Sequence, residues 1–289
     1  MGPGSIPPSG DVWTVLAQWR LEPLALAGLL AAGSLYAAGV IRSRRSGTPW
    51  ARARTTWFFL GLGTLALALL SPVDAYADVS LTVHMAQHLV LTLLAPPLLA
   101  LGAPITLALR AGSPGVRRAT TAALRTPVAS FLANPIVGWG LFVGVPVAIH
   151  ASKLFDAALR SGGWHAIEHG VWLGAALVYW WPIVGTDPNP HPVAYPARLL
   201  SLLLAMPAMS FLAIAIYTAS GPLYATYPRL PAPWGPGALG DQRDAAVLMW
   251  LVGNFALLIA MLLVAVAWKR DDDARQRRLE EREDRLAAT

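Results

Sequence analysis

Long apolar stretches, separated by short segments rich in arginine, dominate this sequence and leave the chain few ways to fold. Charged residues make up 13% of its 289 residues and hydrophobic residues 55%, whereas a soluble domain carries about 25% charged residues. An apolar helix of about 20 residues crosses the hydrocarbon core of a bilayer. The sequence therefore predicts an all-α, polytopic integral membrane helical bundle with about seven transmembrane helices.

Seven stretches have the length and apolarity that a membrane-spanning helix requires. They are residues 21–41, 50–70, 81–101, 134–150, 164–184, 197–219 and 245–267. We accordingly predict three regions, which are an extracytoplasmic N-terminal segment (1–20), a transmembrane domain (21–268) and a charged cytoplasmic tail (269–289). Pro96 and Pro97 lie inside the third stretch, where two missing amide donors predict a kinked helix.

The positive charges predict the orientation of the chain. Lys and Arg concentrate in the loop after the first span, the loop after the third span and the C-terminal tail. Because cytoplasmic loops carry an excess of these residues, we predict an extracytoplasmic N-terminus and a cytoplasmic C-terminus. The loop 185–196 is predicted inside although it contains no Lys or Arg. The same arginines account for the net charge of +6, so no nucleic-acid partner is predicted.

Histidines form the most informative pattern in the sequence. Two pairs, His84/His88 and His165/His169, have i, i+4 spacing, which puts both imidazoles on one helix face at a separation suited to one metal ion. The predicted topology brings five histidines to one layer at the extracytoplasmic membrane boundary, and leaves His191 on the inner side. The chain has no cysteine, so copper and zinc are the natural metals for such a site. The predicted ligands are His84, His88, His150, His165 and His169.

Four other side chains are candidates for the same site. Met206 and Met209 are either soft ligands for Cu(I) or ordinary fillers of a helix bundle. Glu168 completes the pattern H-x-x-E-H, in which it would be the general base of a zinc hydrolase, but it also fits a hydrogen-bond acceptor behind a metal-bound imidazole. Asp241 could supply a supporting carboxylate or cap a helix, and Asp244 is the better placed of the two to cap.

Several strings resemble the multi-pass CtaG family of cytochrome c oxidase assembly proteins. HMAQHLVLTLLAPPLLALGAP (84–104) is similar to the signature helix of that family, and HAIEH (165–169) leads into YWWPIVG (179–185) as it does there. The resemblance extends in order over roughly residues 55–268, through the elements His150, Phe155-Asp156, MPAM (206–209), Tyr224, Tyr227 and DQRDAAVLMW (241–250). At Phe155 the family is expected to have tyrosine.

The resemblance implies an assembly factor for a caa-type cytochrome c oxidase that acts in copper delivery to the metal centres of the oxidase. It implies the bacterial cytoplasmic membrane as the location, with the site facing the extracytoplasmic side. The implied partners are bilayer lipid and oxidase subunits or other assembly factors, and a homodimer is compatible with it. The five histidines, Met206 and Met209 carry over as candidate ligands, and Glu168 and Asp241 as supporting acids.

On this interpretation the protein performs no chemical turnover and is not an enzyme. Three alternatives remain open from the residues. One is a membrane metalloenzyme, either a zinc hydrolase or an oxidoreductase, that uses Glu168 as its acid or base. The second is a haem-b protein in which histidines of two helices ligate the iron. The third is a purely structural membrane scaffold that binds no metal.

Overall fold

The computed structural model describes residues 12–227 and 235–287. Most of the predicted N-terminal segment, residues 1–11, lies outside the described residues. Helix accounts for 82% of the structure, and the described residues contain no β-strand. The predicted all-α fold class is therefore confirmed.

The helices follow one another with short connections. The first half of the chain forms α1 (Val12–Leu16), α2 (Pro23–Arg45), α3 (Arg52–Leu70), α4 (Pro72–Ala77), α5 (Leu81–Leu89), a π-helical segment (Val90–Leu94), α6 (Ala95–Leu101) and α7 (Pro104–Ala111). The second half forms α8 (Pro114–Leu124), α9 (Pro127–Leu132), α10 (Pro135–His150), α11 (Leu154–Arg160), α12 (Gly162–Val184), α13 (Tyr195–Tyr217) and α14 (Gly237–Ala287).

Five helical segments of the described chain are long and apolar enough to cross a membrane. They are Pro23–Arg45, Arg52–Leu70, Leu81–Ala111, Tyr195–Tyr217 and Gly237–Leu286. The pair α10 and α11, bent by 72°, makes a sixth if it counts as one span. α12 has 23 residues, which is enough to cross the core, but its polar residues make it less apolar than the others. The predicted number of seven and the orientation remain predictions.

The two prolines of the third span are accommodated by the π-helical segment that precedes them. Pro96 has no amide proton to donate to the carbonyl of Thr92, four residues earlier. The indole Nε1 of Trp180, on α12, donates to this freed carbonyl at 2.7 Å. A backbone acceptor inside the bundle is thereby satisfied from a neighbouring helix, as the interior of a membrane protein requires.

Close packing of α3 against α6 depends on two glycines. A Cβ atom on Gly61 would lie 2.8 Å from Cγ of Leu99, and one on Gly102 would lie 2.7 Å from Cβ of Phe58. Both distances are shorter than real side chains allow. The two helices can therefore approach each other this closely only because these positions lack a side chain.

The connection between α12 and α13 and the C-terminal tail, both on the predicted cytoplasmic side, have a defined structure. The carboxylate of Asp187 accepts hydrogen bonds from the amides of Ile105 and Thr106 at 3.1 and 2.7 Å, which caps the start of α7. Burial raises the pKa of Asp187, and the bonds from Thr106 oppose that shift. At the C-terminus, α14 continues without a break through residue 287, so the predicted tail begins as an extension of the last helix.

Candidate metal centre

Two histidines of α5 and the glutamate of α12 face one another in the interior of the bundle. Nε2 of His84 lies 3.9 Å from Oε2 of Glu168, and Nε2 of His88 lies 3.9 Å from Oε1 of the same carboxylate. One donor atom from each of the three residues lies within 4.8 Å of the other two. We call these three residues the inner set. It is almost completely buried, because the two histidines are 0% and 2% exposed and Glu168 is 6% exposed.

A second group of potential ligands lies beside the inner set. Asp74 of α4 and the pair His165 and His169 of α12 also bring one donor atom each within 4.8 Å of one another. We call them the outer set, since His165 is only partly buried. The two sets are adjacent: the ring centroids of His84 and His165 are 5.4 Å apart, and those of His88 and His169 are 5.8 Å apart. Four of the five predicted histidines are thus brought together.

Asp74 was not predicted from the sequence. It is 5% exposed, and Nε2 of Gln87 donates to its Oδ1 at 2.9 Å. Burial raises the pKa of Asp74 to about 6, against the opposing effect of that hydrogen bond. The sequence gives one indication of Asp74: it is an acidic residue in a connection (72–80) that contains no Lys or Arg to pair with it.

The donor atoms of both sets are largely unsatisfied. Neither imidazole nitrogen of His84 or His88 has a hydrogen-bond partner, and neither oxygen of Glu168 has one. The same holds for Nε2 of His165 and of His169. Buried polar atoms in proteins almost always have a partner, so this concentration of unpaired nitrogen and oxygen atoms calls for a physical explanation.

The surrounding residues hold the inner set in place. The imidazole of His88 stacks on the indole of Trp172, with ring centroids 4.2 Å apart. At the start of α5, the carboxylate of Asp241 accepts hydrogen bonds from the amides of Leu81 and Thr82 at 2.6 and 3.1 Å. Asp241 therefore caps the helix that carries the two histidines, from its own position on α14. Asp244, which was predicted to cap its own helix, instead lies inside α14, which begins at Gly237, and is exposed.

His150 lies close to the inner set without joining either group of ligands. The ring of Phe155 packs against both His150 and His84, with its centroid 5.0 Å from each imidazole. Nδ1 of His150 is 2.8 Å from the hydroxyl of Tyr224, while its Nε2 has no partner. Asp156 holds the loop that carries Tyr224, because its carboxylate accepts hydrogen bonds from the amides of Ala225 and Thr226. Asp156 is a second residue that reasoning from spacing did not assign.

The two predicted methionines, Met206 and Met209, differ in their surroundings. Met209 lines a cavity of about 20 Å³ together with Met85, Met249 and His88, whereas Met206 is not among the residues that line it. A cavity of this size admits about one water-sized ligand. Nε2 of His191 lies 3.0 Å from the hydroxyl of Ser130, and His191 belongs to neither set. Its predicted place on the inner side of the membrane remains a prediction.

Comparison with known proteins identifies the family. A family profile described as "cytochrome c oxidase caa3 assembly factor" matches residues 34–271. Uncharacterized proteins of Mycobacterium bovis and Mycobacterium tuberculosis are each 32% identical to the chain over 290 residues, and one of Mycobacterium leprae is 31% identical. These alignments cover 98% of this chain and 43% of each relative, so the chain spans less than half of their length. No solved structure matches the chain significantly.

The profile covers the helices that carry both sets of ligands, from within α2 to within α14. It extends over far more than half of the chain, and it agrees with the histidine pairs and the double-proline helix from which the resemblance was inferred. The chain therefore belongs to the cytochrome c oxidase caa3 assembly factor family.

Proposed function

We propose that this protein is an assembly factor for a caa3-type cytochrome c oxidase, and that it binds copper as cargo at the inner set, His84, His88 and Glu168. It acts as a binding and transfer protein rather than as an enzyme. The observation that carries the proposal is the set of unsatisfied donor atoms on these three buried side chains.

Energetic reasoning favours a cation at this position. A buried polar group without a partner costs about 1–3 kcal/mol, and the inner set alone has six such atoms. A carboxylate between two neutral imidazoles is especially costly unless positive charge is supplied. A bound metal ion would accept lone pairs from all three side chains and compensate the charge of Glu168. The same atoms would then become the most favourable contacts in this part of the bundle.

Ligand chemistry and family membership together favour copper. Imidazole nitrogen binds copper, zinc, iron and nickel, so the residues alone do not select among them. Membership of a family that assembles cytochrome c oxidase favours the metal that the oxidase needs at its own centres. A set of three protein ligands also leaves a coordination position open, which suits an ion that must later be released.

The site is proposed to face the extracytoplasmic side of the bacterial cytoplasmic membrane. The distribution of arginine supports this orientation, because the histidines lie at the opposite ends of the helices from the basic loops. The proposed partners are bilayer lipid around the apolar helices and oxidase subunits, or further assembly factors, at the exposed end.

The cavity that His88 lines suggests a route for copper that reaches the site as Cu(I). Thioether sulfur is a soft ligand that prefers Cu(I), and Met85, Met209 and Met249 line the cavity that His88 also lines. We include these three methionines, in place of Met206, as the proposed path of Cu(I) away from the inner set.

The direct test is copper analysis of the full chain purified in detergent. We expect the wild-type protein to retain copper after dialysis. The His84→Ala/His88→Ala double variant should lose the copper ion that is bound at the inner set. His191→Ala is the matched control, since this imidazole is remote and exposed. In cells, the double variant should also reduce the amount of copper-loaded oxidase.

Three results would each contradict the proposal. Unchanged copper content and unchanged oxidase assembly in the double variant would remove the inner set from the function. Stoichiometric zinc with turnover that is lost in Glu168→Gln would instead support the hydrolase alternative, and a Soret band in the purified protein would support the haem alternative.

A further inference from the structure

The second cluster of metal-binding side chains has no role in the proposal above. Asp74, His165 and His169 form their own group of donor atoms within 4.8 Å, and they share no member with the inner set. Within the described chain, these are the two groups of three or more His and carboxylate side chains that are arranged to hold a metal ion.

We propose that Asp74, His165 and His169 form a second metal site, which binds an additional divalent transition-metal ion next to the inner site. The proposal rests on the proposed function, because it assigns to the outer set a place in the handling of the same cargo. Two imidazoles and one carboxylate are ligands that Cu(II) and Zn(II) both accept.

Bond lengths argue for two ions rather than one shared ion. A metal–nitrogen or metal–oxygen bond is about 2.0–2.2 Å long, so two ligand atoms on one ion lie no more than about 4 Å apart. The donor atoms of the six side chains do not form one group within 4.8 Å; they form two groups of three, one around each i, i+4 pair of histidines. Each pair is therefore arranged to bind its own ion.

The helix α5 links the outer site to the inner one. Gln87 lies between the two histidines of α5, and its amide donates to Asp74 at 2.9 Å and to the carbonyl of Ala68 at 2.8 Å. This amide fixes one oxygen of the carboxylate. Such a hydrogen bond behind a metal ligand orients the ligand, and its loss typically weakens metal binding 10- to 100-fold.

Burial suggests the order in which the two sites are filled. His165 is partly exposed, Asp74 and His169 are 5% and 9% exposed, and the inner histidines are 0% and 2% exposed. An ion that arrives from the extracytoplasmic side would therefore meet the outer set first. The centroid of His165 lies 5.4 Å from that of His84, so transfer to the inner set requires only a short step.

The experiment is titration of the full chain in detergent with Cu(II) alone, followed by dialysis, elemental analysis and EPR. We expect the wild type to bind about two copper ions per chain, with EPR lines broadened by coupling of two neighbouring spins. Asp74→Asn should bind about one and give the spectrum of an isolated Cu(II). Asp78→Asn is the matched control: this aspartate lies in the same connection but forms an ion pair with Arg20.

A second variant guards against misfolding of Asp74→Asn. His165→Asn changes a partly exposed ligand, and thermal unfolding of the copper-free variants shows whether each is folded. Both variants are expected to lose one ion, and His84→Ala/His88→Ala to lose the other. A wild type that binds one ion, with no change in Asp74→Asn and His165→Asn, overturns the outer site and leaves the proposed function intact. A wild type that binds no copper overturns the proposed function itself.

Discussion

Replacement of Asp241 tests whether an aspartate of α14 positions α5, the helix that carries His84 and His88. Its carboxylate accepts hydrogen bonds from the amides of Leu81 and Thr82 and, at 3.0 Å, from the hydroxyl of Ser80. A helix cap contributes about 1 kcal/mol, a negative charge at a helix N-terminus about 0.3–1 kcal/mol, and the hydroxyl bond about 0.5–1.5 kcal/mol. We expect Asp241→Ala to reduce the free energy of unfolding by about 2–3 kcal/mol.

This loss should be measurable as a shift in the melting temperature of the purified protein. For a protein of this size, 1 kcal/mol corresponds to about 2–4 °C, so Asp241→Ala should melt on the order of 5–10 °C lower than the wild type. Asp241→Asn keeps an acceptor oxygen but loses the charge, and should show a smaller shift. Copper affinity should fall about 10-fold in Asp241→Ala, because His84 lies only three residues beyond the cap.

The control is Asp244→Ala, which removes an exposed carboxylate one turn farther along the same helix. The capping argument is wrong if Asp241→Ala melts within 1–2 °C of Asp244→Ala, roughly the effect of a neutral surface change. If the melting temperature falls as expected while copper affinity stays unchanged, the cap stabilises the fold without positioning the ligands.

Three further substitutions test other parts of the structure. Gly61→Ala places a Cβ 2.8 Å from a side-chain carbon of α6 and should destabilise the protein by about 1–3 kcal/mol; Gly63→Ala, with open space around it, is the control, and equal melting temperatures would contradict the packing argument. Trp180→Phe leaves the carbonyl of Thr92 without its indole donor and should cost about 1–3 kcal/mol, measured by thermal unfolding; no loss would mean that another donor replaces the indole. Met209→Leu nearly conserves volume, so it should weaken binding of Ag(I), a redox-inert substitute for Cu(I), and leave Cu(II) binding unchanged; equal Ag(I) affinity would remove this methionine from the path.

Local spacing explains why much of the fold and the core of the site could be predicted from the sequence. A span is recognised from about 20 consecutive residues, and the observed helices Pro23–Arg45, Arg52–Leu70 and Tyr195–Tyr217 differ from the predicted stretches by only a few residues at each end. A histidine pair at i, i+4 likewise lies on one helix. Once that helix is predicted, the proximity of the two imidazoles follows from the helix geometry.

The residues that escaped prediction come from separate elements that meet only in the folded protein. Asp74 lies on a six-residue helix, and no sequence spacing relates it to His165, which is far away along the chain. Met85 and Met249 join Met209 at one cavity although they belong to three different helices. Asp241 was expected either to support the site or to cap its own helix. In the structure its carboxylate caps α5 instead.

The π-helical segment explains how a single span serves two different partners. Before the π-helical segment, α5 places His88 beside His169 of α12. After it, α6 packs Leu99 against Gly61 of α3. One π-helical turn takes in an extra residue and rotates everything beyond it by about 100° relative to an uninterrupted α-helix. Without that rotation, the faces that carry the histidines and the packing leucine could not both meet their present partners. The distortion of this helix therefore serves both the arrangement of the inner set and the packing of the bundle.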